Sequence, residues 1–193
     1  LFSAVEASAI AVAYALLLEV VIFRKVSVKD LGGLALSSGM ITAVVFILVA
    51  IGAAFSHTLG TAGIPEKLLG PAIESIGQNQ VAALALIAVA FFIGCMFVDP
   101  IVVILILVPI FKPLIESANL DPIHVGVIVT LQAAIGSATP PFGCDIFTAI
   151  AVFRRPYLEV IRGTPPFIFM LLIATFVLIL FPQLSLWLPG LGG

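Results

Sequence analysis

Apolar residues occur in this chain as long runs, not as an alternating pattern, and the few charged residues fall between the runs. A helix needs about 20 apolar residues to cross the hydrocarbon core of a bilayer, so each run predicts a crossing or part of one. The first is Ala4 to Phe23, entered through Ser3 and Glu6, which have the spacing of a capping box, and closed by Arg24-Lys25. The second, Leu34 to Ser56, lies between Gly32-Gly33 and His57. From His57 to Asn79 the chain carries Pro65, Glu66, Lys67 and Glu74, with Ile64, Leu68, Leu69, Ile73 and Ile76 near helical spacing. That pattern predicts an amphipathic helix lying in the membrane interface.

Gln80 to Ala118 is mostly apolar and would extend about 58 Å as one helix at 1.5 Å per residue, too long for a single crossing. Asp99-Pro100 interrupts it midway, so the segment predicts either a re-entrant hairpin or two short spans. Asp121-Pro122 has the chemistry of a helix start, and the run it opens reaches Phe153 with a break over Gly136 to Gly143. A final span is expected from Pro165 to Leu188, with Trp187 at the interface and Gly190-Leu191-Gly192-Gly193 beyond it. The expected segments are therefore 1–33, 34–79, 80–118 with a tip at 98–100, 119–163 broken at 139–141, and 164–193. The fold class is an all-α membrane protein, a polytopic helical bundle.

Composition agrees: 62% of residues are hydrophobic and 9% charged, too few charges to cover a water-soluble domain of this size. A net charge of −2 with no basic tract predicts no nucleic-acid partner, leaving the lipid bilayer as the surroundings. Six of the eight Lys and Arg residues lie in two places, Arg24, Lys25 and Lys29, and Arg154, Arg155 and Arg162. The positive-inside rule makes loops 24–30 and 154–162 cytoplasmic, and the crossings between them close with the right parity for a hairpin or for two spans. Cys95 and Cys144 sit in apolar runs without zinc or disulfide spacing and are expected to pack as small hydrophobes. The opening Leu1-Phe2-Ser3 has neither Met nor a signal-peptide pattern, which predicts a fragment of a longer chain.

Two features carry candidate chemistry. Backbone at membrane depth is left non-helical only where it is buried in protein or lines a cavity. Pro140 and Pro141 both lack an N–H, and each pushes the residue before it away from helical geometry. The helix should open there, presenting carbonyls from Ile135 to Thr139 at one end and a positive helix start from Phe142 onward. Carbonyl oxygens with the Ser137 and Thr139 hydroxyls suit a desolvated cation, and Gly136 and Gly143 permit close backbone approach. A proline kink needed only for packing is the plainer reading.

Asp99 is the second, because a carboxylate among apolar residues at membrane depth costs about 2.5 to 3.5 kcal/mol to insert. It has three readings: a cation ligand, a proton carrier, or a cap for the turn. Asp145, four residues past Pro141, would gain from the dipole of the second half-helix and is either a cap or a ligand. Gln132 is expected to be a strut between helices. His57 and His124 are expected near interfaces, without companions that would make a metal site. None of the motifs H-E-x-x-H, P-loop or G-x-S-x-G occurs, so no enzyme is predicted.

Four stretches, F-S-A-V-E-A-S-A-I-A-V-A-Y-A-L, M-F-V-D-P-I-V-V-I-L-I-L-V-P-I-F, D-P-I-H-V-G-V-I-V-T-L-Q-A-A-I-G-S-A-T-P-P-F-G and F-P-Q-L-S-L-W-L-P, resemble the large membrane subunit of tripartite ATP-independent periplasmic (TRAP) transporters, in its C-terminal half. The resemblance implies an elevator-type secondary transporter with inverted repeats, a re-entrant hairpin over Gln80 to Ala118 and a discontinuous helix over Asp121 to Phe153. It implies sodium as coupling ion, no other cofactor, and an organic acid as substrate. The implied partners are a small membrane subunit and a periplasmic binding protein, and the implied location is the bacterial inner membrane. On this basis Asp99, Ser137, Thr139, Pro140, Pro141, Phe142, Gly143 and Asp145 map onto a sodium and substrate region. Family members often carry Asn where Gln132 and Asp145 stand. The alternatives are a single-component carboxylate or ion transporter and a structural membrane subunit.

Overall fold

The computed structural model describes residues 3–27 and 29–190; the expected Gly-rich tail from Leu191 and the opening Leu1-Phe2 lie outside the described residues. Every regular element among them is helical. The chain divides into two units, Leu1–Leu48 and Val49–Gly193.

In the first unit, α1 (Ala4–Leu16) starts on the Ser3–Glu6 capping box: the Ser3 hydroxyl accepts from the Glu6 N–H, and the Glu6 carboxylate accepts from the Ser3 N–H. The helix continues as a π-helical turn over Leu17–Ile22. Two N–H groups, of Lys25 and Val26, then fold back on the Glu19 carbonyl. The Asp30 carbonyl accepts from the Leu34 N–H and so begins α2 (Leu31–Thr61), whose residues from Val49 onward belong to the second unit. This helix therefore includes Gly32-Gly33, where the sequence suggested a boundary, and runs past Ser56. The membrane-spanning windows of α1 with its π-turn and of α2 bury none of their residues within the chain. Helices apolar on all sides need lipid or protein around them.

In the second unit α3 (Ile64–Ile76) buries Pro65 and Leu69 and keeps Glu66 exposed. Two helices come next, α4 (Gln80–Phe97) and α5 (Pro100–Ser117), separated by Val98 and Asp99 alone. The remaining elements are α6 (Pro122–Ser137), α7 (Cys144–Phe153), the short α8 (Tyr157–Arg162) within the expected charged loop, α9 (Pro165–Leu180) and α10 (Gln183–Gly190). The expected single span from Pro165 to Leu188 is interrupted. Phe181 is driven to φ −123°, ψ 75° before Pro182, as a residue preceding proline must leave the helical region.

The core is built on α4. Ala83, Ile87, Phe91 and Cys95 recur at every fourth position, are all buried, and pack with the buried face of α6, including Val125, Ile128, Val129 and Ala133. Phe91 meets Phe111 of α5 with ring centroids 6.2 Å apart. Small residues set the helix spacing: a Cβ on Gly94 would lie 2.9 Å from Val103 Cγ1. Gln132, 1% exposed, donates to the Thr175 hydroxyl at 2.7 Å and ties α6 to α9, the strut expected of it. Among the described residues four helices, or helix runs, are long and apolar enough to cross a membrane, and α6, α7 and α9 are shorter apolar helices.

Candidate functional site

Three short pieces of chain meet where α4 ends, α5 begins and α6 gives way to α7. The α6 helix stops at Ser137 because two prolines stand just beyond it. The Ser137 carbonyl would ordinarily accept from residues 140 or 141, and both are proline. The Gly136 carbonyl loses its usual partner at 140 and takes the Thr139 N–H instead, at 3.0 Å. The Pro140-Pro141 bond is cis. The backbone becomes helical again at Cys144.

Not all the carbonyls expected to be exposed are available. Ile135 accepts from the Thr139 hydroxyl at 2.5 Å and Gly136 from the Thr139 N–H, while Pro141, beyond the expected stretch, accepts from the Tyr157 hydroxyl at 3.0 Å. The Thr139 carbonyl accepts the Gly143 N–H at 3.2 Å and has a second lone pair. What remains is concentrated at one point. The Ser137 carbonyl oxygen lies against the α-carbon of Gly143, and a Cβ there would collide with it and come 2.9 Å from the Thr139 oxygen. Gly143 is glycine because two backbone oxygens occupy the space of a side chain.

Asp145 lies in the first turn of α7, and its carboxylate accepts the Ser137 hydroxyl at 2.6 Å, joining the two sides of the break. The Cys144 thiol is 3.8 Å from its other oxygen. Asp99 caps α5: its carboxylate accepts the Ile101 N–H at 2.9 Å, and Pro100 takes the first helical position. Both carboxylates are exposed, and neither has a cationic partner among the described residues. The tip carrying Asp99 reaches the break through Phe97 and Phe142, whose ring centroids are 5.9 Å apart. Below them α4 and α6 touch backbone to backbone, since a Cβ on Gly136 would lie 2.6 Å from Cys95 Cβ and 2.8 Å from the Phe92 oxygen.

The structure thus gathers Ser137, Thr139, Pro140, Pro141, Phe142, Gly143 and Asp145 at the break between α6 and α7 and brings Phe97, two residues before Asp99, against it. Phe97 and Tyr157 do not stand out in the sequence. Nothing local marks either: Tyr157 lies 16 residues beyond the carbonyl it meets. Hard oxygen atoms dominate the set, and among the described residues no group of three His, Cys, Asp or Glu side chains could hold a transition metal. Backbone oxygens with a carboxylate and a hydroxyl fit an alkali cation.

A multi-pass helical membrane protein with a helix opened beside a helical hairpin is the class these features define. The family described as "Tripartite ATP-independent periplasmic transporter, DctM component" matches residues 1–184, and the chain belongs to it. It is 58% identical over its whole length to an ectoine TRAP transporter large permease protein of Halomonas elongata, and 60% identical over 99% of its length to an ectoine/5-hydroxyectoine counterpart of Ruegeria pomeroyi. It is 31% identical over 99% of its length to a putative dicarboxylate transporter subunit of Paracoccus pantotrophus, of which it covers 91%. The chain spans 45% and 44% of the two ectoine relatives it matches. These relatives are named as transporter proteins, not enzymes.

Proposed function

We propose that this chain is part of the large permease subunit of a secondary transporter that couples sodium entry to import of a carboxylate-bearing solute across the bacterial inner membrane. The observation that carries the reading is the convergence of the Ser137 and Thr139 carbonyl oxygens on Gly143, in a helix opened next to the Asp99 tip. In this reading α4 and α5 form a re-entrant hairpin, and α6 and α7 are the halves of a discontinuous helix that moves with it in an elevator motion. Sodium is held by the opened backbone with help from Asp145 and Ser137, and Asp99 contributes charge from the tip. Loops 24–30 and 154–162 face the cytoplasm, a small membrane subunit completes the assembly, and a periplasmic binding protein delivers the solute.

Ectoine, named in the two relatives of high identity, is the first solute to test, with C4-dicarboxylates and sialic acid, named in others, as comparisons. The experiment is uptake into proteoliposomes holding the full-length permease and its small subunit. Import should require both an inward sodium gradient and the binding protein. Import that ignores the sodium gradient, or persists unchanged without the binding protein, refutes the reading.

A further inference from the structure

The hydrogen bonds that shape the break between α6 and α7 come from within it, with one exception. The Thr139 N–H and hydroxyl donate to the Gly136 and Ile135 carbonyls, the Gly143 N–H to the Thr139 carbonyl, and the Ser137 hydroxyl to Asp145. None of these bonds touches Pro140 or Pro141. Neither proline has an N–H, so its carbonyl oxygen is the only hydrogen-bonding group it can offer. Among the described residues one hydrogen bond reaches the pair: the Tyr157 hydroxyl donates to the Pro141 carbonyl at 3.0 Å, from 16 residues along the chain.

Pro141 precedes α7 and Tyr157 follows it, yet the two meet across a helix of 10 residues, about 15 Å long. Arg154 ends α7 in the left-handed conformation, with φ 52°, and α8 packs against α7. Pro156, in an extended conformation, caps α8 and makes Tyr157 its first residue. Arg155 and Glu159, 3.4 Å apart, are paired across Tyr157 on the exposed side. The hydroxyl is therefore carried by an element outside the break.

Pro140 and Pro141 lie between the Thr139 carbonyl and Gly143, where the Ser137 and Thr139 oxygens converge. Two carbonyl oxygens aimed at one place repel each other while no cation lies between them, so the segment gains by swinging them apart. A hold on Pro141 opposes that movement. A site held in its binding geometry before the ion arrives does not draw on binding energy to order itself.

We propose that Tyr157 is a positioning residue for the sodium site: its hydroxyl, anchored on α8, fixes the Pro140-Pro141 segment, keeps the Ser137 and Thr139 carbonyls converged, and so sets the affinity for the ion. The proposal rests on the reading of the break as a sodium site.

The test is thermal unfolding of the full-length permease with its small subunit in lipid nanodiscs, with sodium chloride exchanged for choline chloride at constant ionic strength. The unfolding midpoint of the wild type should rise with the logarithm of sodium concentration once that exceeds the dissociation constant. Tyr157→Phe keeps the ring and removes the donor; the onset of the rise should move to at least about fivefold higher sodium. Arg155→Gln breaks the exposed pair with Glu159 and keeps the hydroxyl, so its onset should stay at the wild-type concentration. A tyrosine that only steadies α8 would lower the midpoint equally at every sodium concentration and leave the onset in place. That result overturns the proposal, as does an equal displacement in Arg155→Gln. A wild type indifferent to sodium overturns the sodium reading and this proposal with it, whereas a responsive wild type with an unmoved Tyr157→Phe overturns this proposal alone.

Discussion

The Ser137 hydroxyl donates to the Asp145 carboxylate at 2.6 Å, linking the last residue of one helix to the first turn of the next across a stretch with two prolines. It is the side-chain link that closes the opened helix, and it keeps an acidic group beside carbonyl oxygens freed by Pro140 and Pro141. Replacing Asp145 by Asn retains an acceptor for Ser137 and removes the charge. The expected result is a folded protein whose uptake needs a higher sodium concentration, by about tenfold, equivalent to about 1.4 kcal/mol, read from uptake rate against sodium.

Gly143→Ala tests the carbonyl convergence directly. The new methyl group would occupy the space of the Ser137 and Thr139 oxygens, so one or both must turn away. Sodium-dependent uptake should fall at least about tenfold, while Gly60→Ala, in open space on α2, leaves it near the wild-type rate.

Asp99 separates capping from charge. Asn is as good a cap as Asp and Ala is not, the difference being about 1 kcal/mol in favour of the capped helix. Asp99→Asn should therefore match the wild type in thermal stability and lose sodium-coupled uptake, and Asp99→Ala should lose both. Full uptake in Asp99→Asn would leave Asp99 as a cap alone.

Gly136→Val probes the close approach of α4 and α6. Its Cβ would press on Cys95 Cβ at 2.6 Å and on the Phe92 oxygen at 2.8 Å, so the helices must separate. Destabilisation of about 1–3 kcal/mol is expected in thermal unfolding of the detergent-solubilised protein. Thr175→Val, which removes the partner of buried Gln132, should cost less, about 0.6–1.7 kcal/mol.

Residue order alone dictates a multi-pass helical membrane protein, because hydrocarbon leaves the backbone little alternative to helices in runs of this length and composition. It also dictates the break, because prolines at 140 and 141 leave the Ser137 carbonyl without a helical N–H donor. The capping box at Ser3 and Glu6 and the caps at Asp99 and Asp121 are legible for the same reason: each is settled within three residues. The break at Pro182 is legible in principle, since a proline there must end α9, yet the apolar run around it reads as one span. Which freed carbonyls stay open is settled by packing, because Tyr157 takes one from 16 residues away. Packing also brings Phe97 to Phe142 and buries His124 against Ser185, 61 residues distant. Such pairings depend on how helices of nearly uniform apolar surface meet. In a chain so apolar, hydrophobic periodicity carries little information about which face turns inward; the close fits at Gly94, Gly136 and Gly143 settle it.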